Sequence, residues 1–181
     1  MRIRPAVAHD AAALATIYGH HVAHGFGTFE EVAPAPEEMA ARLAAVARRG
    51  LPYLVAEVDG AVAGFAYAAP FRTRAAYRYT VEDSVYIADG RQGQGIGKAL
   101  LSAVIAGCEP LGLRQMVAMI GDAANAASVG LHRACGFRDA GVLAAVGFKA
   151  GRWVDVVVMQ RALNAGADEP PGAGGLDLAE G

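Results

Sequence analysis

The stretch VYIADGRQGQGIGKALL (residues 85–101) constrains the fold of this chain more than any other. A β-prone run feeds a turn holding Gly90, Gly93, Gly95 and Gly97, and an apolar helical pattern follows at once. Glycine admits positive φ and lets successive backbone N–H groups face one point without a Cβ in the way. The helix N-terminus adds partial positive charge, so together they form an anion site suited to a phosphate or pyrophosphate. Arg91 and Lys98 add to that charge. The pattern GxxxxGK[ST] fails here, because position 92 is Gln and Ala99 replaces the hydroxyl that would hold Mg²⁺. GxGxxG fails too: a start at Gly93 ends on Lys98, and a start at Gly95 ends on Leu100.

The rest of the chain reads as alternating helices and strands. Residues 2–5 form a first strand, and Asp10 caps a helix running to about His24, with Ala13, Leu14, Ile17 and Tyr18 at helical spacing. Gly25, Gly27, Pro34 and Pro36 keep the next segment irregular. A second helix begins at Pro36 with Glu37 and Glu38 in its first turn, and closes at Arg48, Arg49 and Gly50. Asp59-Gly60 is a hairpin signal between two apolar runs. A strand over 80–87 precedes the glycine turn and a helix over 96–108 follows it. Then come a strand over 114–120, a helix over 125–135, and two strands at about 137–148 and 153–160. The order β, α, α, β, β, β, α, β, α, β, β predicts an α/β (α+β) fold: a mixed central sheet with helices on both faces, rather than a doubly wound parallel sheet. The folded domain is expected over 1–162. Residues 163–181, rich in Gly, Pro and acidic residues, are expected as a disordered, solvated tail.

Composition narrows the classes. The chain has 181 residues and a formal net charge of −2, which offers no positive field for nucleic acid. Its mean hydropathy is high at +0.28, yet each apolar run is broken before the roughly 20 residues that a membrane span needs. No signal-peptide core is present at the N-terminus, so a cytoplasmic protein is expected. Cys108 and Cys135 lie far apart in apolar patterns and read as buried free thiols. His20, His21 and His24 lack the Glu of a metalloprotease helix and a distant third ligand, so no metal is expected.

The glycine turn matches [Q/R]-x-x-G-x-[G/A] as Gln92-Gly93-Gln94-Gly95-Ile96-Gly97, which resembles the coenzyme A pyrophosphate loop of the GNAT superfamily of N-acetyltransferases. The order of elements resembles that superfamily over about residues 2–162. The segments GTFEE (27–31), LVAEVDGAVAGFAYAAPFRTRAAY (54–77), TVEDSVYI (80–87), VGFKAGRW (146–153) and DVVVMQ (155–160) narrow the likeness to the phosphinothricin / methionine sulfoximine (sulfone) acetyltransferase subfamily. The resemblance implies transfer of acetyl from acetyl-CoA, as cosubstrate, to the α-amine of a small amino acid analogue. It also implies that Val85, Tyr86 and Ile87 pair with the pantetheine arm like an added strand, that Asn125 and Ser128 meet the cofactor arm, and that the protein is a homodimer. A helix cap is an equal reading of Asn125.

The chemistry selects further candidates. An α-ammonium must lose a proton before it attacks, and Glu82, in the strand leading to the cofactor stretch, is the expected base. Strand alternation puts Thr80, Glu82 and Ser84 on one face and Val81, Asp83 and Val85 on the other, which makes Asp83 the weaker candidate. Arg72 and Arg74 suit the substrate carboxylate, because guanidinium binds carboxylate bidentately. Tyr79 and Thr80 are candidate hydrogen-bonders, and Phe29 a candidate apolar wall reaching across a subunit boundary. A backbone N–H near Val85–Tyr86 suits the developing oxyanion. Phe137 offers no proton and His132 reads as a helix-surface or core histidine, so no general acid is assigned. Trp153 reads as packing or dimer contact. A silent acyl-CoA sensor, or a polyamine, antibiotic or protein N-terminus as acceptor, are the competing readings.

Overall fold

A computed structural model describes residues 1–172 and 174–178. The elements run β1 (Arg2–Pro5), α1 (Ala11–His24), α2 (Pro36–Arg48), β2 (Tyr53–Val58), β3 (Ala61–Pro70), β4 (Thr80–Ile87), α3 (Ile96–Cys108), β5 (Gln115–Gly121), α4 (Ala126–Ala134), β6 (Arg138–Lys149) and β7 (Arg152–Ala162). The expected boundaries hold to within two residues. The sequence signals act locally as their chemistry dictates. Asp59 and Gly60 both take positive φ, 52° and 79°, which is the backbone a two-residue hairpin needs. Pro36 opens α2 with Ala35 as its cap, and Gly50, at φ 68°, follows its end.

Seven strands form one mixed sheet in the order β1-β2-β3-β4-β5-β7-β6. Neighbours pair antiparallel except β4 with β5. The helices α1 and α2 pack together over one face, and α3 and α4 lie over the other. Under α1 the aromatic rings of Tyr53, Phe65, Tyr67 and Tyr86 form a continuous layer, and Tyr18 meets Tyr86 edge-on at 4.9 Å. The other face is sealed by Leu100, Leu101, Val104 and Cys108 of α3, all fully buried. Cys108 and Cys135 are buried free thiols. Among the described residues, no helix is long and apolar enough to cross a membrane.

The parallel contact between β4 and β5 lasts four residues, from Thr80 opposite Gln115 to Asp83 opposite Ala118. Beyond that point β4 stays on β3, up to Ile87 opposite Gly64, while β5 stays on β7, up to Gly121 opposite Val156. The two strands therefore diverge, and their facing edges stop pairing.

Two regions differ from expectation. Asp10 does not cap α1 through its side chain. Instead it accepts from Nη1 and Nη2 of Arg4, both at 2.8 Å, and from the Val7 N–H at 2.8 Å. A bidentate charge-assisted pair outcompetes a single helix-end hydrogen bond. The segment expected as a solvated tail lays part of itself on the domain. Leu163 and Leu176 are buried, and the Leu176 N–H donates to the Arg78 carbonyl at 2.8 Å. Isolated leucines in a polar segment gain by covering apolar surface. Residues 173 and 179–181 of that segment lie outside the described residues.

The Arg4–Asp10 pair holds the Asp10 carboxyl below its usual range, chiefly through the guanidinium hydrogen bonds. A depressed carboxylate stabilises the fold above its ordinary range and ceases to do so as pH falls through its folded value. Asp10→Asn is expected to cost about 2 kcal/mol at neutral pH, read from urea midpoints. The gap from the native protein should close in acid.

Candidate functional site

The divergence of β4 and β5 opens a cleft of about 540 Å³ that begins at the glycine turn and ends beside α1. Glu82, Asp83, Ser84, Val85, Tyr86 and Ile87 line one wall. The facing wall is Ala118 to Gly121 of β5, and Asn125, Ala127, Ser128, Leu131 and His132 come from α4 and the residue before it. His21, Gly25, Phe26 and Gly27 close the far end.

At the near end, Gly90, Gly93 and Gly95 take φ of 72°, 73° and 78°. A Cβ built on any of them meets nothing within 4 Å, so these positions leave an open cradle. Gly95 is the left-handed cap of α3 and brings no side chain to bond that helix end, so its first N–H groups are left to the cradle. Gln92, Gly93, Gly95, Gly97 and Lys98 line the cleft. Open glycine backbone, a bare helix N-terminus and a lysine form a donor set that fits a pyrophosphate. Gln94 and Ile96 serve otherwise. The Gln94 side chain donates back to the Gly90 carbonyl, and Ile96 is buried in the core. Gly97 also lets α3 approach α4, since a Cβ there would sit 3.2 Å from Leu131. Arg91 turns toward Asp59, 3.8 Å away.

Asn125 is a helix cap that also faces the cleft. Its Oδ1 accepts the Ser128 N–H at 3.1 Å, capping α4, while the residue still lines the cleft. Val85, Tyr86 and Ile87 sit on the part of β4 that β5 has left. The Ile87 carbonyl bonds His21 Nε2 at 2.9 Å. Burial lowers the His21 pKa, so a neutral ring donates there.

Glu82 shares the α1–α2 face with Tyr86 and lines the cleft at the point where the strands part. Burial pushes its carboxyl above the usual range, and Arg72, 3.9 Å from Oε2, offsets part of that rise. The Arg72 guanidinium lies 4.1 Å over the Phe71 ring. Arg72 reaches the cleft only through Glu82, and it and the other substrate candidates are placed outside the cleft lining. Arg74 is exposed at the start of a one-turn helix over Ala75–Tyr77. Tyr79 donates its hydroxyl to the Gly172 carbonyl. Thr80 begins β4, opposite Gln115. Phe29 lies against Gly147 of β6, where a Cβ would come within 2.3 Å of its ring.

Sequence reasoning missed the far end of the cleft and the buried side of β4. Lys149 Nζ donates to the carbonyls of Gly25 and Thr28, both at 2.8 Å, and so pins the 25–28 loop. Gly121 lets that loop close: a Cβ there would lie 1.9 Å from the Phe26 carbonyl oxygen. Arg152 stacks over the Phe26 ring at 3.9 Å. On the α3–α4 side, Asp83 and His132 are buried together and joined at 2.9 Å. His132 is thus the core histidine of its two readings, with a buried carboxylate as partner. Among the described residues, no group of three or more His, Cys, Asp or Glu is placed to hold a metal ion.

The comparisons agree with this geometry. Residues 20–137 match the acetyltransferase (GNAT) family. A phosphinothricin N-acetyltransferase of Alcaligenes faecalis is 58% identical over 157 residues, covering 87% of this chain and 80% of its own length. An L-methionine sulfoximine/L-methionine sulfone acetyltransferase of Salmonella typhimurium is 38% identical over 164 residues, covering 91% and 95%. The crystal structure of a GNAT superfamily phosphinothricin acetyltransferase from Sinorhizobium meliloti, in complex with AcCoA, superposes with a TM-score of 0.92 at 46% identity, covering 96% and 94%. A glycine cradle at the mouth of a split parallel strand pair, in a chain this close to those proteins, makes this protein a member of the GNAT acetyltransferase family.

Proposed function

We propose that this protein transfers the acetyl group of acetyl-CoA to the α-amine of a small amino acid analogue of the phosphinothricin, methionine sulfoximine or methionine sulfone type. One observation carries the reading: a cleft runs from the glycine cradle, along the edge of β4 that β5 has left, to a half-buried carboxylate with an arginine beside it. The relatives named for these substrates align over most of the chain, and they favour turnover over a silent sensor.

The residues divide the work along the cleft. Gly93, Gly95, Lys98 and the first N–H groups of α3 hold the pyrophosphate. The backbone of Val85–Ile87 then pairs with the pantetheine arm as a strand would. Running from the turn back along β4, that arm brings the thioester beside residues 83 and 84. Arg72, with Arg74 from the same loop, takes the substrate carboxylate. Glu82 accepts a proton from the α-ammonium, and the freed amine forms the new C–N bond as the C–S bond breaks. A carboxyl raised by burial is a stronger base once ionised, which suits it to an ammonium. This reading implies the cytoplasm, where acetyl-CoA is drawn on.

The second copy of a homodimer has a surface to meet. Along the sheet's edge strand β6 and its hairpin, Val142, Leu143, Val146, Phe148 and Trp153 are exposed, Trp153 by 64%. The Phe148 and Trp153 rings meet edge-on at 5.3 Å, and Phe29 rests on the same strand. Apolar groups this dense on one strand mark an interaction face.

Two measurements test these assignments. Free-thiol release from acetyl-CoA should appear with methionine sulfone or phosphinothricin, and its absence with both defeats the substrate reading. Glu82→Gln should lower kcat/KM by about 100-fold. The native rate should rise with pH along a limb displaced above the ordinary carboxylate range, and the variant should lack that limb; full activity of the variant at every pH removes Glu82 as base. Separately, Trp153→Glu should shift a dimer toward monomer in analytical ultracentrifugation, and an unchanged sedimentation profile counts against this face.

A further inference from the structure

The Asp83–His132 pair has no part in the scheme above, yet both residues belong to the lining of the cleft where the strands divide. Its hydrogen bonds fix its proton content. His132 Nδ1 lies 2.7 Å from the Ser128 carbonyl oxygen, which can only accept, so Nδ1 carries a proton. Nε2 lies 2.9 Å from Asp83 Oδ2, which as a carboxylate oxygen also accepts. A second proton must therefore sit between ring and carboxylate. The residues are 4% and 6% exposed, and the Phe137 ring stands edge-on against the imidazole at 5.0 Å. Among the described residues, none gives the buried Asp83 Oδ1 a hydrogen bond.

We propose that Asp83 is a positioning residue that holds His132 as an imidazolium, and that this pair supplies the proton taken up by the departing coenzyme A thiolate. The inference rests on the acetyl-transfer reading for the identity of the acceptor. The location follows from β4: with the cradle beyond its C-terminal end, an arm running back along Ile87, Tyr86 and Val85 places sulfur beside Asp83. The protons balance. The ammonium loses two protons in becoming an amide; one passes through Glu82 to water, and the other replaces the proton given up by the pair. The proton between Nε2 and Oδ2 moves to sulfur as the C–S electrons settle there. This leaves a neutral imidazole still protonated at Nδ1, and Asp83 Oδ1 can accept from the new S–H. Adjacent carboxylates on opposite faces of β4 thus serve opposite ends of one reaction.

The electrostatics agree. Burial alone would lower the His132 pKa, but the Asp83 hydrogen bond and charge, with the Ser128 carbonyl, leave it raised. The other titratable neighbours are Glu82 on β4 and Cys108 on α3, whose thiol is pushed up to about 12 by burial and then by Asp83. The Ser128 hydroxyl lies 3.4 Å from Nδ1 and carries no charge.

Nitrogen-15 NMR of the imidazoles, in the protein without ligand, reads the charge state directly. Both His132 nitrogens should be protonated at neutral pH in the native protein, and Asp83→Asn should show a neutral ring under the same conditions. In turnover, Asp83→Asn should lower kcat by about tenfold to 100-fold and move the falling alkaline limb of the kcat profile to lower pH, with KM for acetyl-CoA unchanged. A neutral His132 in the native protein overturns the proposal, and that measurement needs no variant to fold. A variant pH profile that superimposes on the native one overturns it as well. If the native protein releases no thiol with any amine, the acetyl-transfer reading fails and the transfer step with it, whatever the NMR charge state.

Discussion

Once β4 and β5 part after Asp83 and Ala118, the backbone N–H and C=O groups on their facing edges no longer pair with each other. Such groups are costly to bury and seek any strand-like ligand. The gap cannot close on itself, because each strand is held by its other neighbour, β4 by β3 and β5 by β7. Everything at the site follows from this constraint. The glycine cradle sits where the freed end of β4 leads, α4 covers the opening from one side, and the 25–28 loop stops it at the far end. The cleft is built in advance, so little ordering is left for binding to impose.

The divergence also separates the acid–base groups. Within β4, neighbouring side chains point to opposite faces. Glu82 therefore meets Arg72 on the α1–α2 side, while Asp83 meets His132 under α4. One carboxylate is half-buried beside an exposed cation. The other is sealed against a histidine whose second nitrogen is already committed. Two residues of one chemical type acquire different partners and different burial because the pleat sends them to opposite faces.

What was legible in the sequence was local. The cradle glycines, the Asp59-Gly60 hairpin and the Asn125 cap each depend on conformations or bonds set within a few residues, and each appears as read. The alternation of β4 likewise assigned Glu82 and Asp83 to opposite faces. What could not be read depended on contacts between distant segments. His132 meets Asp83 across 49 positions, and Lys149 meets Thr28 across 121. Neither spacing has a pattern that a single chain displays. Tyr79 was drawn off the site by Gly172, in a segment whose composition suggested only solvent. Asp10 had two uses open to it, and the long-range partner Arg4 prevailed over the local one.

Lys149 leads to a last consequence. A protein that gathers a reactive thioester at its surface exposes its own amines to stray acylation. This chain has two lysines among its 16 basic residues, Lys98 and Lys149. Lys149 is 6% exposed, with its ammonium already given to two carbonyls, so it offers no lone pair to an acyl donor. Arginine, which resists acylation because its guanidinium stays protonated, supplies the other basic positions. Basic charge is thus carried almost wholly in a form its own cosubstrate cannot consume, and Lys98 is left as the one side-chain amine open to self-modification.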